Sequence, residues 1–94
     1  PEVIIEETAR YFSITAADIR GQRRSKNLAK ARQVSMYLMR NLTNLPLKEI
    51  GEEFGGRNHA TVLSSIRKVE ELLKSDPEIA ATVRDITSNI NSKN

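Results

Sequence analysis

The sequence contains no cysteine and a single histidine, His59, among its 94 residues. Disulfides and thiolate metal sites are therefore excluded, and so is a metal site built from several histidines. The longest apolar runs are only a few residues, so no segment is predicted to span a membrane. The chain does not open with a signal-peptide pattern.

The sequence also lacks the residue sets on which most enzymes depend. It has no G-x-x-x-x-G-K-[ST] phosphate loop, and no serine or aspartate partner set accompanies His59 to form a hydrolase triad. We therefore expect this chain not to be an enzyme. Its length fits one domain, residues 1–94, with a core large enough to fold alone. Because the chain does not begin with Met, we expect it to be a fragment of a longer protein.

Positive charge is concentrated in one part of the chain. Asp18 is the last acid before Glu49, and eight of the fifteen Lys and Arg residues lie between them. A block of one sign produces a field that attracts phosphates, although it is also compatible with a merely solvated basic face.

Apolar residues recur at helical spacing along the chain, and no segment shows the alternation of a strand. The pattern predicts an all-α domain of five to six helices. Thr15 with Asp18 resembles a capping box, and Asp76-Pro77 is typical of a helix start. We predict a loop at 22–27, a frayed tail at 91–94, and helices at 3–12, 16–20, 28–42, 46–54, 58–74 and 77–90.

The helix predicted at 28–42 is amphipathic. One side of its wheel carries Leu28, Ala31, Val34, Ser35, Leu38, Met39 and Leu42. The opposite side carries Arg32, Gln33, Met36 and Arg40, so the wheel predicts that these four are exposed.

Helices 46–54 and 58–74 are separated by Gly55-Gly56, the layout of a helix-turn-helix. In that motif the N-terminal residues of the second helix face base edges in the major groove. Asn can bond adenine through two hydrogen bonds, Ala can contact a thymine methyl group, and Arg can bind guanine or a phosphate. A helical hairpin with a Gly-Gly turn also occurs in proteins that bind no DNA, so this pattern alone leaves both interpretations open.

Three segments resemble the C-terminal DNA-binding domain, domain IV, of the bacterial chromosomal replication initiator DnaA. They are QRRSKNLAKARQVSMYLMRNLTN, KEIGEEFGG and FGGRNHATVLSSIRKVEEL, and the similarity extends from residue 1 to about residue 90. The resemblance implies sequence-specific binding of double-stranded DNA at DnaA boxes of the replication origin, in support of chromosome replication. It also implies a monomeric domain in the bacterial cytoplasm, associated with the nucleoid. No cofactor is expected in this chain, since ATP would bind a separate ATPase domain of the parent protein.

The family's contacts can be transferred position by position. The minor-groove arginine corresponds to Arg24, in the loop before the long helix, and a narrow A·T-rich minor groove attracts such an arginine. Base contacts in the major groove correspond to Asn58, His59, Ala60 and Thr61. Phosphate contacts correspond to Arg32, Gln33, Arg40, Arg57 and Ser64.

Three of these positions depart from the family pattern. Most relatives have Asp at the position of Asn58, Thr at that of Ala60 and His at that of Ser64. Because Asn can donate as well as accept, Asn58 is predicted to relax or shift the preference at one base position. A base-substitution scan giving the same preference for wild type and Asn58→Asp would refute this hypothesis.

Two other functions are compatible with parts of the sequence. A different helix-turn-helix regulator would share the chemistry, but such proteins usually bind palindromic sites as dimers, and no heptad seam offers a dimer interface here. A protein-interaction module could use the acidic residues Glu70, Glu71, Asp76 and Glu78. In the family, replication-regulator proteins dock on this domain, so both roles could coexist.

Overall fold

The computed structural model describes residues 1–92, which form six α-helices and contain no strand. The all-α prediction is therefore confirmed. The helices are α1 (Glu2–Tyr11), α2 (Ala16–Arg20), α3 (Lys26–Leu42), α4 (Leu47–Glu53), α5 (His59–Ser75) and α6 (Pro77–Asn91). Within the described range, no helix is long and apolar enough to cross a membrane. The predicted fraying of residues 91–94 falls partly on residues 93 and 94, which lie outside the described residues.

Side-chain caps define several of the helix boundaries. Thr15 accepts a hydrogen bond from the Asp18 N–H, and the Asp18 carboxylate accepts one from the Thr15 N–H, which confirms the predicted capping box. Asp76 caps α6, as predicted. Ser25 caps α3 by accepting from the Leu28 N–H at 3.0 Å, so α3 begins two residues earlier than expected.

The long helix α3 lies at the centre of the fold and packs against every other helix, most extensively against α5. Its neighbours surround a single hydrophobic cluster that includes Ile5, Ile19, Met39, Phe54 and Val62. Because α3 is covered on several sides, a wheel with one buried and one exposed face does not describe it. Met36 and Arg32, both predicted to be exposed, are buried at 1% and 7% exposure, so the wheel was wrong for these two residues.

The same packing buries a hydroxyl group without a partner. Among the described residues, Ser35 on α3 is fully buried and its Oγ has no hydrogen-bond partner. A buried unsatisfied polar group costs about 1–3 kcal/mol. The Ser35→Ala variant should therefore have a free energy of unfolding about 1 kcal/mol or more above wild type.

Urea denaturation of the isolated domain would measure this difference. Ser64→Ala is the matched control, because Ser64 is exposed on α5 and its substitution changes mainly helix propensity. Equal gains for the two variants, or a loss at position 35, would show that the Ser35 hydroxyl is satisfied.

Candidate nucleic-acid interface

A glycine-dependent turn joins α4 to α5. Gly55 and Gly56 have φ angles of 78° and 83°, a left-handed conformation that favours glycine. The carbonyl oxygen of Gly51 accepts hydrogen bonds from the Gly56 N–H at 3.1 Å and the Arg57 N–H at 3.0 Å. A Cβ atom on Gly51 would overlap the carbonyl oxygen of Arg57. The backbones of α4 and the start of α5 can approach this closely only because residue 51 has no side chain.

The turn directs the first residues of α5 outward. His59, Ala60, Thr61 and Ser64 are exposed, whereas Val62, Ile66 and Val69 face the core. The predicted base-contacting residues of α5 therefore lie together at one solvent-facing helix end. Backbone N–H groups at a helix N-terminus also attract phosphate.

Asn58 is the N-cap of α5. Its side-chain Oδ1 accepts a hydrogen bond from the Thr61 N–H at 2.9 Å. The cap occupies the side-chain oxygen, so the amide N–H₂ is the part of Asn58 that can donate to a base. The shift in base preference predicted for Asn58 would then come from this donor.

The cap gives Asn58 a measurable effect on stability without DNA. Asn58→Ala should lower the free energy of unfolding by about 1 kcal/mol, because the first turn of α5 loses its acceptor. Asn58→Asp retains the acceptor and adds a negative charge at the helix N-terminus, so it should be as stable as wild type or slightly more stable. Thermal unfolding of both variants would test this, and a loss of stability in Asn58→Asp comparable to that of Asn58→Ala would contradict the capping role.

A groove of about 500 Å³ runs between the N-terminal parts of α3 and α5. Of the residues that line it within the described chain, four are basic and none is acidic. It brings together five of the predicted site residues from three separate parts of the sequence: Arg24, Arg32, Gln33, Arg57 and Thr61. It is also lined by Ser25, Lys26, Ala29, Met36 and Ser65. The groove therefore combines a basic rim with a partly apolar floor.

Arg40 lies apart from this groove. It is exposed near the C-terminal end of α3, where its Nη1 donates to the Leu45 carbonyl at 3.4 Å. It is 14 residues further along α3 than Lys26, which corresponds to about 21 Å at 1.5 Å per residue. Arg40 thus lies beyond the groove, about one helical turn past Met36, the last groove residue on α3.

Arg32 makes contacts that the sequence did not predict. Its Nε donates to the Ile19 carbonyl at 2.9 Å and its Nη2 to the Asp18 carbonyl at 2.7 Å. Burial, together with the nearby positive charge of Arg57, lowers the pKa of Arg32, and Asp18 partly offsets this effect. An arginine remains protonated in proteins, so Arg32 still contributes positive charge to the groove. A phosphate contact by Arg32 stays a prediction, limited to the guanidinium donors that do not bond these two carbonyls.

Two of the additional groove residues were misplaced by the sequence interpretation. Ser25 and Lys26 were assigned to a loop, but they cap and begin α3 at the groove. A serine just before a helical pattern is a common N-cap signal, so Ser25 could have been identified from the sequence.

Three of the four acidic residues considered for a protein-interaction face make contacts within the chain. Asp76 caps α6, Glu71 pairs with Lys74 at 3.8 Å, and Glu78 pairs with Lys30 at 3.7 Å. Glu70 is exposed on α5. These four residues therefore lie around the C-terminal part of α5 and the start of α6, away from the groove-lining residues of α5.

Two helices joined by a tight turn, with the exposed start of the second helix beside a basic groove, define a helix-turn-helix domain of the DNA-binding class. Residues 1–69 match the family model described as bacterial DnaA protein helix-turn-helix. The chain therefore belongs to the bacterial DnaA helix-turn-helix family, which confirms the resemblance.

Curated relatives agree with this family assignment. Over 90 residues, or 96% of the chain, it is 48% identical to the chromosomal replication initiator protein DnaA of Leifsonia xyli. It is 43% identical to that of Lactiplantibacillus plantarum and 48% identical to that of Cutibacterium acnes, again over 96% of the chain. The matched segment covers only 18–20% of each of these relatives, so the chain spans about a fifth of their length.

Proposed function

We propose that this domain binds double-stranded DNA at DnaA-box-like sites of a replication origin and thereby supports initiation of chromosome replication by a longer protein. The N-terminal residues of α5 enter the major groove, where Asn58, His59, Ala60 and Thr61 contact base edges. Arg24 enters the adjacent minor groove. The observation that carries this proposal is the basic groove, which places Arg24 beside the start of the exposed recognition helix.

Phosphate contacts set the orientation of the domain on the duplex in this proposal. Gln33, Arg40 and Ser64 are accessible to varying degrees, and Arg32 contributes the guanidinium donors that do not bond the Ile19 and Asp18 carbonyls. Such contacts fix register without carrying sequence information, whereas contacts with base edges provide specificity. We propose that the domain acts as a monomer on an asymmetric site and needs no cofactor of its own. Any ATPase activity of a longer parent would then belong to residues outside this chain.

Fluorescence anisotropy with a labelled duplex that carries a DnaA box, compared with a scrambled duplex, tests the proposal. We expect the box to bind about 10³-fold or more tightly, the usual gap between specific and non-specific binding. Affinity for both duplexes should fall on the order of 10³-fold between low and moderate salt. Binding releases counterions from the DNA phosphates, and this release is less favourable at higher salt concentration. Equal, salt-sensitive binding to both duplexes would refute specific recognition.

Docking of replication-regulator proteins is a second candidate function, supported only by the exposure of Glu70 and Glu71 on α5. Reversing the charge at the exposed Arg24 should weaken DNA binding and leave such docking intact. Failure of the wild-type domain to bind either duplex would favour the protein-interaction function over DNA binding.

A further inference from the structure

The C-terminal end of α2 lies directly against the helix-turn-helix turn. A Cβ atom on Gly55 would lie 2.6 Å from the Arg20 carbonyl oxygen, so the two backbones are nearly in contact. The helix α2 has only five residues, and the carbonyls of its last turn lack partners within the helix. The carbonyls of Asp18 and Ile19, and that of the C-cap residue Gly21, have partners elsewhere in the chain.

Two arginine side chains provide those partners. Arg32 donates to the carbonyls of Asp18 and Ile19, at 2.7 and 2.9 Å. Arg57 donates through Nη2 to the Gly21 carbonyl at 2.8 Å and through Nη1 to the Phe54 carbonyl. One guanidinium group thus joins residue 21, which begins the loop containing Arg24, to residue 54 at the end of α4.

The position of Arg57 in the sequence connects this bridge directly to the start of α5. It immediately precedes Asn58, the N-cap of the recognition helix, and its backbone N–H is bonded to the Gly51 carbonyl. Its side chain is half-buried, whereas Arg24 and Arg23 in the loop are exposed. The planar fork of an arginine can bind two separate carbonyls at once, which a lysine ammonium on its flexible stem does less well.

We propose that Arg57 is a positioning residue that fixes the Arg24 loop relative to the recognition helix, so that minor-groove and major-groove contacts form in register. This role replaces the phosphate contact predicted for Arg57 from the sequence, and its effect on DNA recognition rests on the function proposed above. Its effect on the free domain does not depend on that function.

Amide hydrogen exchange of the free domain tests the bridge without DNA. The Arg57→Lys variant keeps the positive charge but loses the guanidinium group that bonds the Gly21 and Phe54 carbonyls together. We expect at least about tenfold faster exchange at the Leu28 and Ala29 amides, whose hydrogen bonds to Ser25 close the loop onto α3. The Met39 and Ile86 amides in the core should stay as in wild type. Arg40→Lys is the matched control and should leave all four amides unchanged.

A double-mutant cycle on box DNA tests the consequence for recognition. In wild type, Arg24→Ala should weaken box binding at least about tenfold, and in the Arg57→Lys background it should weaken binding less than about threefold. If Arg57 only binds phosphate, lysine should substitute for it and the loss from Arg24→Ala should be the same in both backgrounds. Unchanged exchange together with equal losses would overturn the proposal.

The outcomes distinguish this inference from the proposed function. If wild type shows no preference for the box, specific recognition fails, and the exchange experiment alone decides whether Arg57 holds the loop. If Arg57→Lys does not fold, the guanidinium protons of Arg57 can be followed by NMR in wild type. Slow exchange of the Nη protons in the free domain supports the bridge, and rapid exchange like that of an exposed arginine overturns it.

Discussion

Gly51→Ala should destabilise the domain by about 3 kcal/mol or more. The added Cβ would overlap the Arg57 carbonyl oxygen, which belongs to backbone and cannot rotate away. Relieving that overlap requires α4 and α5 to separate, which would break the hydrogen bonds that the Gly51 carbonyl accepts from Gly56 and Arg57. Chemical denaturation of the isolated domain, followed by far-UV circular dichroism, would measure the loss.

The sign of this effect distinguishes close packing from helix propensity. Gly51 lies inside α4, and at an unconstrained helical position Gly→Ala stabilises by up to about 1 kcal/mol. A stable Gly51→Ala variant would therefore contradict the close approach of α4 to the start of α5.

Gly56→Ala provides the control for Gly51→Ala. A Cβ atom at Gly56 meets nothing within 4 Å, but the φ angle of 83° is unfavourable for alanine. Its cost should be limited to about 1–2 kcal/mol of backbone strain, clearly below that at position 51.

Arg24→Ala should reduce the preference for a DnaA box over a scrambled duplex by about tenfold or more, corresponding to the 1–3 kcal/mol of a good base-edge contact. The physical reason is that an arginine in a narrow minor groove senses the local DNA shape, so its loss should weaken box binding more than scrambled binding. Anisotropy titrations of both duplexes at one fixed salt concentration would measure the change.

The neighbouring residue offers a matched control for Arg24. Arg23 lies in the same loop, carries the same charge and pairs with Asp18 at 3.5 Å, with its side chain 82% exposed. Arg23→Ala should weaken binding to both duplexes about equally, since it removes only a non-specific attraction. If the two variants lost the same preference, Arg24 would have no special role in the minor groove.

The sequence predicted those features that depend on local chemistry. The capping box at Thr15 and Asp18, the Asp76-Pro77 helix start and the Gly-Gly turn each follow from a few adjacent residues, and the structure confirms them.

Features that depend on distant packing were not predictable in this way. The wheel of α3 failed at Arg32 and Met36 because that helix is surrounded by the other five helices. The bond from Arg57 to Gly21 joins residues 36 positions apart, and no local pattern indicates it. The family resemblance located Arg57 in the interface region, but only the three-dimensional contacts show that its Nη1 and Nη2 bond the Phe54 and Gly21 carbonyls.

The length of α3 has a consequence for the size of the DNA site. Duplex DNA rises 3.4 Å per base pair along its axis, so the roughly 21 Å between Lys26 and Arg40 corresponds to about six base pairs. In the proposed complex Arg40 holds a phosphate toward one end of this span, so the length of α3 contributes to the minimum length of the DNA site. Oligonucleotides shortened at the Arg40 end of the site should therefore lose the proposed Arg40 phosphate contact.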